Sequence, residues 1–188
     1  MLIPVLIILA AIVLTIALVV IVVARKPGEF RITRSATLPA SAAVVFAQVN
    51  DFHLWRAWSP WERLDPAMQR TYEGSPAGLG AIYRWTGNKQ VGQGNMTIID
   101  SQAGQLIRIA MVFLKPFAST GTAEFVFTDT PTATGDQTTV VTWSMSGSNN
   151  LMCKMVGLFM NMDKLVGSQF EEGLRNLTAV VKSLPKQA

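Results

Sequence analysis

The stretch from residue 155 to residue 181, MVGLFMNMDKLVGSQFEEGLRNLTAVV, decides the fold because its apolar side chains recur at intervals of three and four. This spacing places them on one face of an α-helix, and the charged side chains mostly fall on the other faces. We predict one long helix that is capped by Asn149 and Asn150 and ends before Pro185. Its apolar face consists of Met155, Phe159, Met162, Val166, Phe170, Leu174, Leu177 and Val181.

The chain before this helix has the two-residue period of β-strands. Phe30–Leu38 alternates apolar and polar side chains, and two short helical stretches follow it, Ala40–Val49 and a second capped by Asn50 or Asp51. Six further strands, separated by turn residues, are predicted at Arg70–Glu73, Gly80–Trp85, Gly92–Ile99, Leu106–Leu114, Thr122–Phe127 and Thr138–Ser146. Short links favour antiparallel pairing. We therefore predict an α+β fold in which a curved antiparallel sheet of about seven strands wraps around the long C-terminal helix.

The N-terminal segment is separate from this pattern, since Met1–Ala24 contains no charged side chain. A helix over residues 2–24 is roughly 35 Å long at ~1.5 Å per residue, enough to cross a hydrocarbon core of ~30 Å. A cleaved signal peptide, the alternative, has basic residues before a shorter apolar run. We predict a single-pass transmembrane helix over residues 2–24, a juxtamembrane linker over residues 25–28 and one domain over residues 29–184.

Four basic side chains follow the apolar segment directly: Arg25, Lys26, Arg31 and Arg34. Positive charge is retained on the cytoplasmic side, so we expect the N-terminus outside and the domain in the cytoplasm, at the cell (inner) membrane. Anionic head groups are the natural partner of these four side chains, which makes membrane lipid an expected partner. The single cysteine, Cys153, agrees with a reducing compartment.

Other classes of function find little support in the sequence. Beyond residue 34 the charge is nearly balanced, so the domain lacks the basic face of a nucleic-acid-binding protein. His53 is the only histidine and Cys153 the only cysteine, so we expect no metal site and no cofactor. Asp51, Glu62 and Asp65 are acid–base candidates, but caps and solvated charges explain such carboxylates equally well, and we assign no catalytic residue.

The order of elements and several short motifs resemble the SRPBCC superfamily, which includes START lipid-transfer domains and polyketide cyclase/dehydrase-like proteins. The resemblance rests on Pro39-Ala40-Ser41, Val45-Phe46, Asn50-Asp51-Phe52, Trp55, Trp58-Ser59-Pro60-Trp61-Glu62, Gly78-Leu79-Gly80-Ala81, Trp85-Thr86-Gly87-Asn88, Val91-Gly92-Gln93-Gly94, Lys115-Pro116-Phe117 and Phe170-Glu171-Glu172-Gly173-Leu174. It implies a helix-grip fold with an apolar cavity between the sheet and the C-terminal helix. Function must still be argued from the site.

Aromatic and methionine side chains supply candidates for the lining of such a cavity. They are Trp58, Tyr83, Trp85, Met96, Met111, Phe113, Phe127, Trp143, Met145, Met155, Phe159 and Met162. Each of them equally suits a filled core. The element from Trp58 to Glu62 forms either a rim at the cavity mouth or a cap on the core.

These observations lead to a membrane-anchored binding module that holds a hydrophobic small molecule or lipid. Two alternatives stay open: a cyclase- or hydratase-type enzyme on a hydrophobic substrate, and a protein-interaction module with a filled core. A cavity with several inward polar groups favours the enzyme, an apolar cavity favours binding, and a filled core favours the third.

The predicted anchor has a direct biochemical test. The full chain should stay in the membrane fraction through high-salt and carbonate washes, because a spanning helix is held by its hydrophobic length rather than by charge. A chain that begins at Pro27 is the control and should appear in the soluble fraction. Release of the full chain by carbonate would contradict the prediction.

Overall fold

The computed structural model describes residues 2–25, 27–131, 137–148, 154 and 161–185. The described helices are α1 (Leu2–Ala24), α2 (Ala42–Asn50), a 3₁₀ helix (Phe52–Ala57), α3 (Trp61–Leu64) and α4 (Met162–Ser183). The described strands are β1 (Glu29–Leu38), β2 (Gln69–Gly74), β3 (Ala81–Thr86), β4 (Gln93–Gln102), β5 (Leu106–Lys115), β6 (Ser119–Pro131) and β7 (Gln137–Ser148).

The N-terminal helix is apolar along its whole length, as the sequence predicted. Ile3–Ala24 is long and apolar enough to cross a membrane, a property that a signal sequence shares. Most of its large side chains are exposed, as on a helix without a protein partner. Val23 in the last turn differs from the rest of the helix, since it is only 1% exposed.

The seven strands form one antiparallel sheet in the order β1-β7-β6-β5-β4-β3-β2. Each strand from β2 to β7 pairs with its neighbour in sequence, and β1 closes the order by pairing with β7 from Glu29↔Ser148 to Leu38↔Thr139. The predicted strand positions and the predicted sheet are confirmed. Strand β6 is longer than the expected Thr122–Phe127, because its pairing with β7 continues to Pro131↔Gln137.

The sheet buries one face under α4. On this inner face Ile98, Ile107, Ile109, Phe125 and Val141 are fully buried. From α4 the side chains at intervals of three and four are buried, namely Phe170, Leu174, Leu177 and Val181. The inward residues of the strands and the apolar face of the helix therefore form one core. The apolar face predicted for this part of the helix is confirmed.

The contact between α4 and the sheet centres on two stacked rings. The rings of Phe170 and Trp143 lie nearly parallel, 10° apart in orientation, with centroids 4.1 Å apart. Gly173, one turn further along α4, allows this approach, since a Cβ there would lie 2.8 Å from Cζ3 of Trp143. The Phe125 ring stacks on Trp143 with a centroid distance of 4.7 Å.

An ion-pair cluster holds α4 to the edge strand β1. The Arg34 guanidinium donates to Asp163 Oδ2 at 3.0 Å and to Glu171 Oε1 at 2.8 Å. A Cβ at Gly167 would overlap this guanidinium, so glycine leaves room for it to cross the helix. The hydrogen bond from Arg34 holds the pKa of Asp163 below its ordinary value.

The predicted start of the last helix is wrong. Asn161 has extended backbone angles, and its side chain accepts a hydrogen bond from the Lys164 backbone N–H at 2.9 Å. Asn161 therefore caps a helix that begins at Met162, because asparagine accepts from the free amides of a first turn. The expected cap at Asn149 and Asn150 lies outside the described residues.

The Phe170 ring should be a main determinant of stability. Phe170→Ala should lower the free energy of unfolding by about 3–5 kcal/mol, because a buried ring that stacks on Trp143 is lost and leaves a cavity. Chemical denaturation of the full chain in detergent measures this loss. Leu165→Ala on the exposed side of the same helix is the control and should cost less than about 0.5 kcal/mol. Equal losses would contradict the packing of α4.

Candidate ligand-binding site

The inner face of the sheet has two ends that differ in how well they are covered. We call the end at which β1 begins the proximal end and the opposite end the distal end. Phe30 pairs with Gly147, Gly147 with Gly121, and Gly121 with Met111, so these four residues form one row across the sheet. The row through Trp143 and Phe125 lies nearer the distal end.

Side chains nearer the proximal end are incompletely covered. Phe30, Met111, Phe113 and Met145 all point to the inner face and are only partly buried, although other inward residues of the same rows, such as Ile109 and Met96, are buried. The apolar surface of the sheet therefore continues past the region that α4 covers. Exposed apolar surface of this kind is typical of a ligand or partner site.

Most of the predicted lining residues lie on this inner face. Tyr83, Trp85, Met96, Phe127 and Trp143 are buried, and Met111, Phe113 and Met145 are partly buried. The register brings Met96 opposite both Tyr83 and Met111. The two-residue period thus placed these side chains on one face, although it did not indicate which of them are covered.

The other candidates have different surroundings. Trp58 is fully buried among Trp55, Phe125 and Trp143, and its Nε1 donates to the Gln48 carbonyl at 3.2 Å. It therefore contacts protein on all sides. Met162, expected on the buried face of the helix, is 43% exposed because it is the first residue of α4. The positions of Met155 and Phe159 lie outside the described residues.

A buried polar cluster borders the inner face at its β2–β3 edge. Glu62 Oε1 accepts from the Tyr83 hydroxyl at 2.6 Å, and Glu62 Oε2 accepts from Arg70 Nε at 2.7 Å. Arg70 also donates to the Met68 carbonyl. Both carboxylate oxygens of Glu62 are thus occupied, which supports a structural role that joins α3 to β2 and β3. Sequence analysis missed Arg70, although its two-residue spacing from Tyr72 places both on one face of β2.

Among the residues that the structure describes, one buried polar atom on the inner face has no hydrogen-bond partner. Trp143 Nε1 is buried and lacks a hydrogen-bond acceptor, although the Trp143 side chain is only 3% exposed. Buried donors are nearly always paired, so an unpaired one marks a place where an acceptor atom is missing. The Cζ3 corner of the ring faces Gly173, so the N–H lies on the edge turned away from that glycine.

The basic side chains expected at the membrane surface are not equivalent. Arg25 directly follows α1 and is exposed, and Lys26 lies outside the described residues. Arg31 lies on the outer face of β1, where it donates to Ser144 Oγ at 3.1 Å and pairs with Glu124. Arg34 pairs with Asp163 and Glu171 of α4, and its expected place at the lipid surface stays a prediction. A guanidinium with two carboxylate partners has little to gain from a head group.

The architecture defines the class of protein: a seven-stranded antiparallel sheet that grips a C-terminal helix is the helix-grip fold. The chain belongs to the family described as "Polyketide cyclase / dehydrase and lipid transport", whose sequence model matches residues 29–182. This match confirms the resemblance to the SRPBCC superfamily.

Solved structures share this fold at low sequence identity. Truncated norcoclaurine synthase from Thalictrum flavum is 13% identical with a TM-score of 0.60, covering 84% of this chain and 96% of that one. Norcoclaurine synthase from Thalictrum flavum in complex with dopamine and hydroxybenzaldehyde is 14% identical with a TM-score of 0.58, covering 84% and 90%. A protein from Chromobacterium violaceum is 14% identical with a TM-score of 0.54, covering 84% and 100%. The likeness shows the fold alone. Comparison with curated proteins finds no match.

Tyrosine titration tests the polar cluster. Burial and then the hydrogen bond to Glu62 raise the pKa of Tyr83, and burial and then the negative charge of Glu62 raise the pKa of Tyr72. The chain has only these two tyrosines. Phenolate absorbance should therefore appear above the ordinary tyrosine pKa of about 10. Because both folded-state pKa values are raised, their contribution to stability is complete below that pH and is lost as pH rises further.

Two matched variants distinguish the effect of Glu62 on the tyrosine pKa values from the effect of removing any negative charge. Glu62→Gln should move the phenolate transition to lower pH, because it removes a negative charge and leaves Arg70 beside both hydroxyls. Glu73→Gln removes an exposed carboxylate that pairs with Arg84 and should leave the transition in place. An identical shift in the two variants would exclude the cluster as its cause.

Proposed function

We propose that this protein is a membrane-anchored module that holds a hydrophobic small molecule or lipid between the sheet and the C-terminal helix. The observation that carries the proposal is the incomplete cover of the inner face, where Phe30, Met111, Phe113 and Met145 are only partly buried. Burial of apolar surface contributes about 25 cal/mol per Å², so this region would gain from an apolar occupant.

The unpaired donor near this region adds a preference for one kind of ligand. Trp143 Nε1 has no acceptor, so a ligand that carries an oxygen acceptor next to its apolar part can satisfy it. Ligand sites combine a mainly apolar lining with few polar groups that fix orientation. A lipid carbonyl has this character. The family description includes lipid transport and therefore supports the same class of ligand.

Membrane anchoring is the second part of the proposal. Ile3–Ala24 has the length and composition of a spanning helix. The next described strand begins at Glu29, so only four residues separate the helix from the domain. Such a link keeps the domain beside the bilayer, from which it can take up apolar molecules directly. The basic residues Arg25 and Lys26 support a cytoplasmic position of the domain.

Photo-crosslinking tests the binding site in the intact protein. The full chain in lipid nanodiscs is irradiated with a diazirine-bearing fatty acid, and the labelled peptides are identified by mass spectrometry. Labels should fall on inward residues of β5 and β7, and excess unmodified fatty acid should reduce them. Labelling confined to α1, which lies in lipid, would contradict the proposal.

A substitution that fills the site gives the sharper outcome. Met145→Trp should abolish labelling of β5 while costing about 1–3 kcal/mol of stability through overpacking. Ile99→Trp on the exposed outer face is the control and should leave labelling unchanged. If Met145→Trp unfolds the chain and the unmodified protein is never labelled on the sheet, the core is filled and the proposal is wrong.

A further inference from the structure

The β5–β6 hairpin exposes two large apolar side chains at its tip. The tip comprises residues 114–118, which connect Phe113 to its paired residue Ser119. Leu114 is 49% exposed and Phe117 is 52% exposed, and Lys115 lies between them. Single exposed apolar residues are common on soluble proteins, but two on one short turn form a compact apolar patch.

The strand register places this tip at the proximal end. Met111 lies in the same row as Phe30, and both strands run on toward the proximal end, β5 forward along the chain and β1 backward. Lys115 is four residues beyond Met111, whereas β1 begins at Glu29, one residue before Phe30. The tip therefore lies past the start of β1, roughly 13 Å beyond the row at ~3.3 Å per residue.

The lateral distance is also short. Two strands separate β1 from β5 in the sheet, so the hairpin lies about 14 Å from β1 at ~4.8 Å per strand. The four residue-to-residue steps from Arg25 to Glu29 span at most about 14 Å. The end of α1 and the hairpin tip therefore lie at the same, proximal end of the sheet.

The neighbouring β3–β4 turn adds a positive charge to this end of the sheet and packs against the hairpin tip. Lys89 in the β3–β4 turn is exposed at the same end, and Asp65 beside it accepts hydrogen bonds from the Ala67 and Asn88 backbone amides. A Cβ at Gly92, which has a φ of +66°, would overlap the Lys115 carbonyl, so the two turns are packed together. Lysine is attracted to anionic head groups, and phenylalanine and leucine enter the acyl boundary.

We infer that the tip of the β5–β6 hairpin is a second membrane contact, in which Leu114 and Phe117 enter the interface of the leaflet where α1 ends. This inference rests on the proposed anchoring. The contact fixes the orientation of a domain that would otherwise pivot on its four-residue linker. It turns the incompletely covered proximal end of the inner face toward lipid.

A depth measurement on the full chain tests the inference. Cys153, the only cysteine, is replaced by serine, and an environment-sensitive fluorophore is attached through Phe117→Cys. The protein is reconstituted in vesicles of phosphatidylcholine and phosphatidylglycerol with or without brominated acyl chains. The control is Leu79→Cys, since Leu79 is an apolar turn residue, 63% exposed, at the distal end. The label at 117 should shift to the blue and lose most of its emission in brominated vesicles, and the label at 79 should not.

A charged substitution supplies the second arm. With the fluorophore attached through Leu114→Cys, Phe117→Asp should restore most of the quenched emission, and Leu79→Asp should leave it quenched. Both variants should melt at the temperature of the parent, because neither side chain is in the core. Absence of quenching at 117, or quenching at 79 instead, overturns the inference. A carbonate wash separates the two proposals: a retained chain without quenching overturns the hairpin contact alone, and an extracted chain overturns both.

Discussion

The stack of Phe170 on Trp143 is the contact on which the rest of the domain depends. An open antiparallel sheet with one apolar face is unstable in water unless another element covers that face. Here α4 supplies the cover, and Gly173 allows its backbone to approach the indole ring. Arg34 fixes the same helix to the edge strand through Asp163 and Glu171. The aromatic stack provides the burial, and the ion pairs set the position of the helix along β1.

This single cover leaves the inner face unequal from one end to the other. In the row of the stack, Ile107 and Phe125 are fully buried, and Val141 is fully buried in the next row toward the distal end. Proximal to it the apolar lining continues through Met145, Met111 and Phe113 with less cover. This unequal burial is the basis of the proposed ligand site. The buried Glu62, Arg70 and Tyr83 cluster stiffens its β2–β3 edge because all three polar groups are satisfied within it.

The proposed function joins this open end to the membrane. The strand that leaves α1 is also the strand that α4 grips, so the position of the helix and the position of the anchor are set by the same element. The β5–β6 hairpin lies at the same end of the sheet because of the strand directions: β1 begins at the proximal end, and β5 ends there. A domain tied at one point and resting on a second would keep its open end against the source of apolar ligand.

Local patterns in the sequence determined the elements and their faces. The uncharged run over residues 2–24, the two-residue period of the strands and the spacing of Phe170, Leu174, Leu177 and Val181 each depend only on neighbours along the chain. They therefore predicted an α+β fold with a curved antiparallel sheet around the C-terminal helix, and the resemblance to a known family identified this as the helix-grip fold. The helix start at Asn161, the pairing of Arg34 with α4 and the Glu62–Arg70–Tyr83 cluster could not be predicted in this way. The ion pairs and the polar cluster join residues that are distant in sequence. The helix start depends on which of several possible N-caps the packed helix uses. The cover of the inner face likewise depends on the tertiary structure, because burial is decided by what packs across a residue and not by the residue itself.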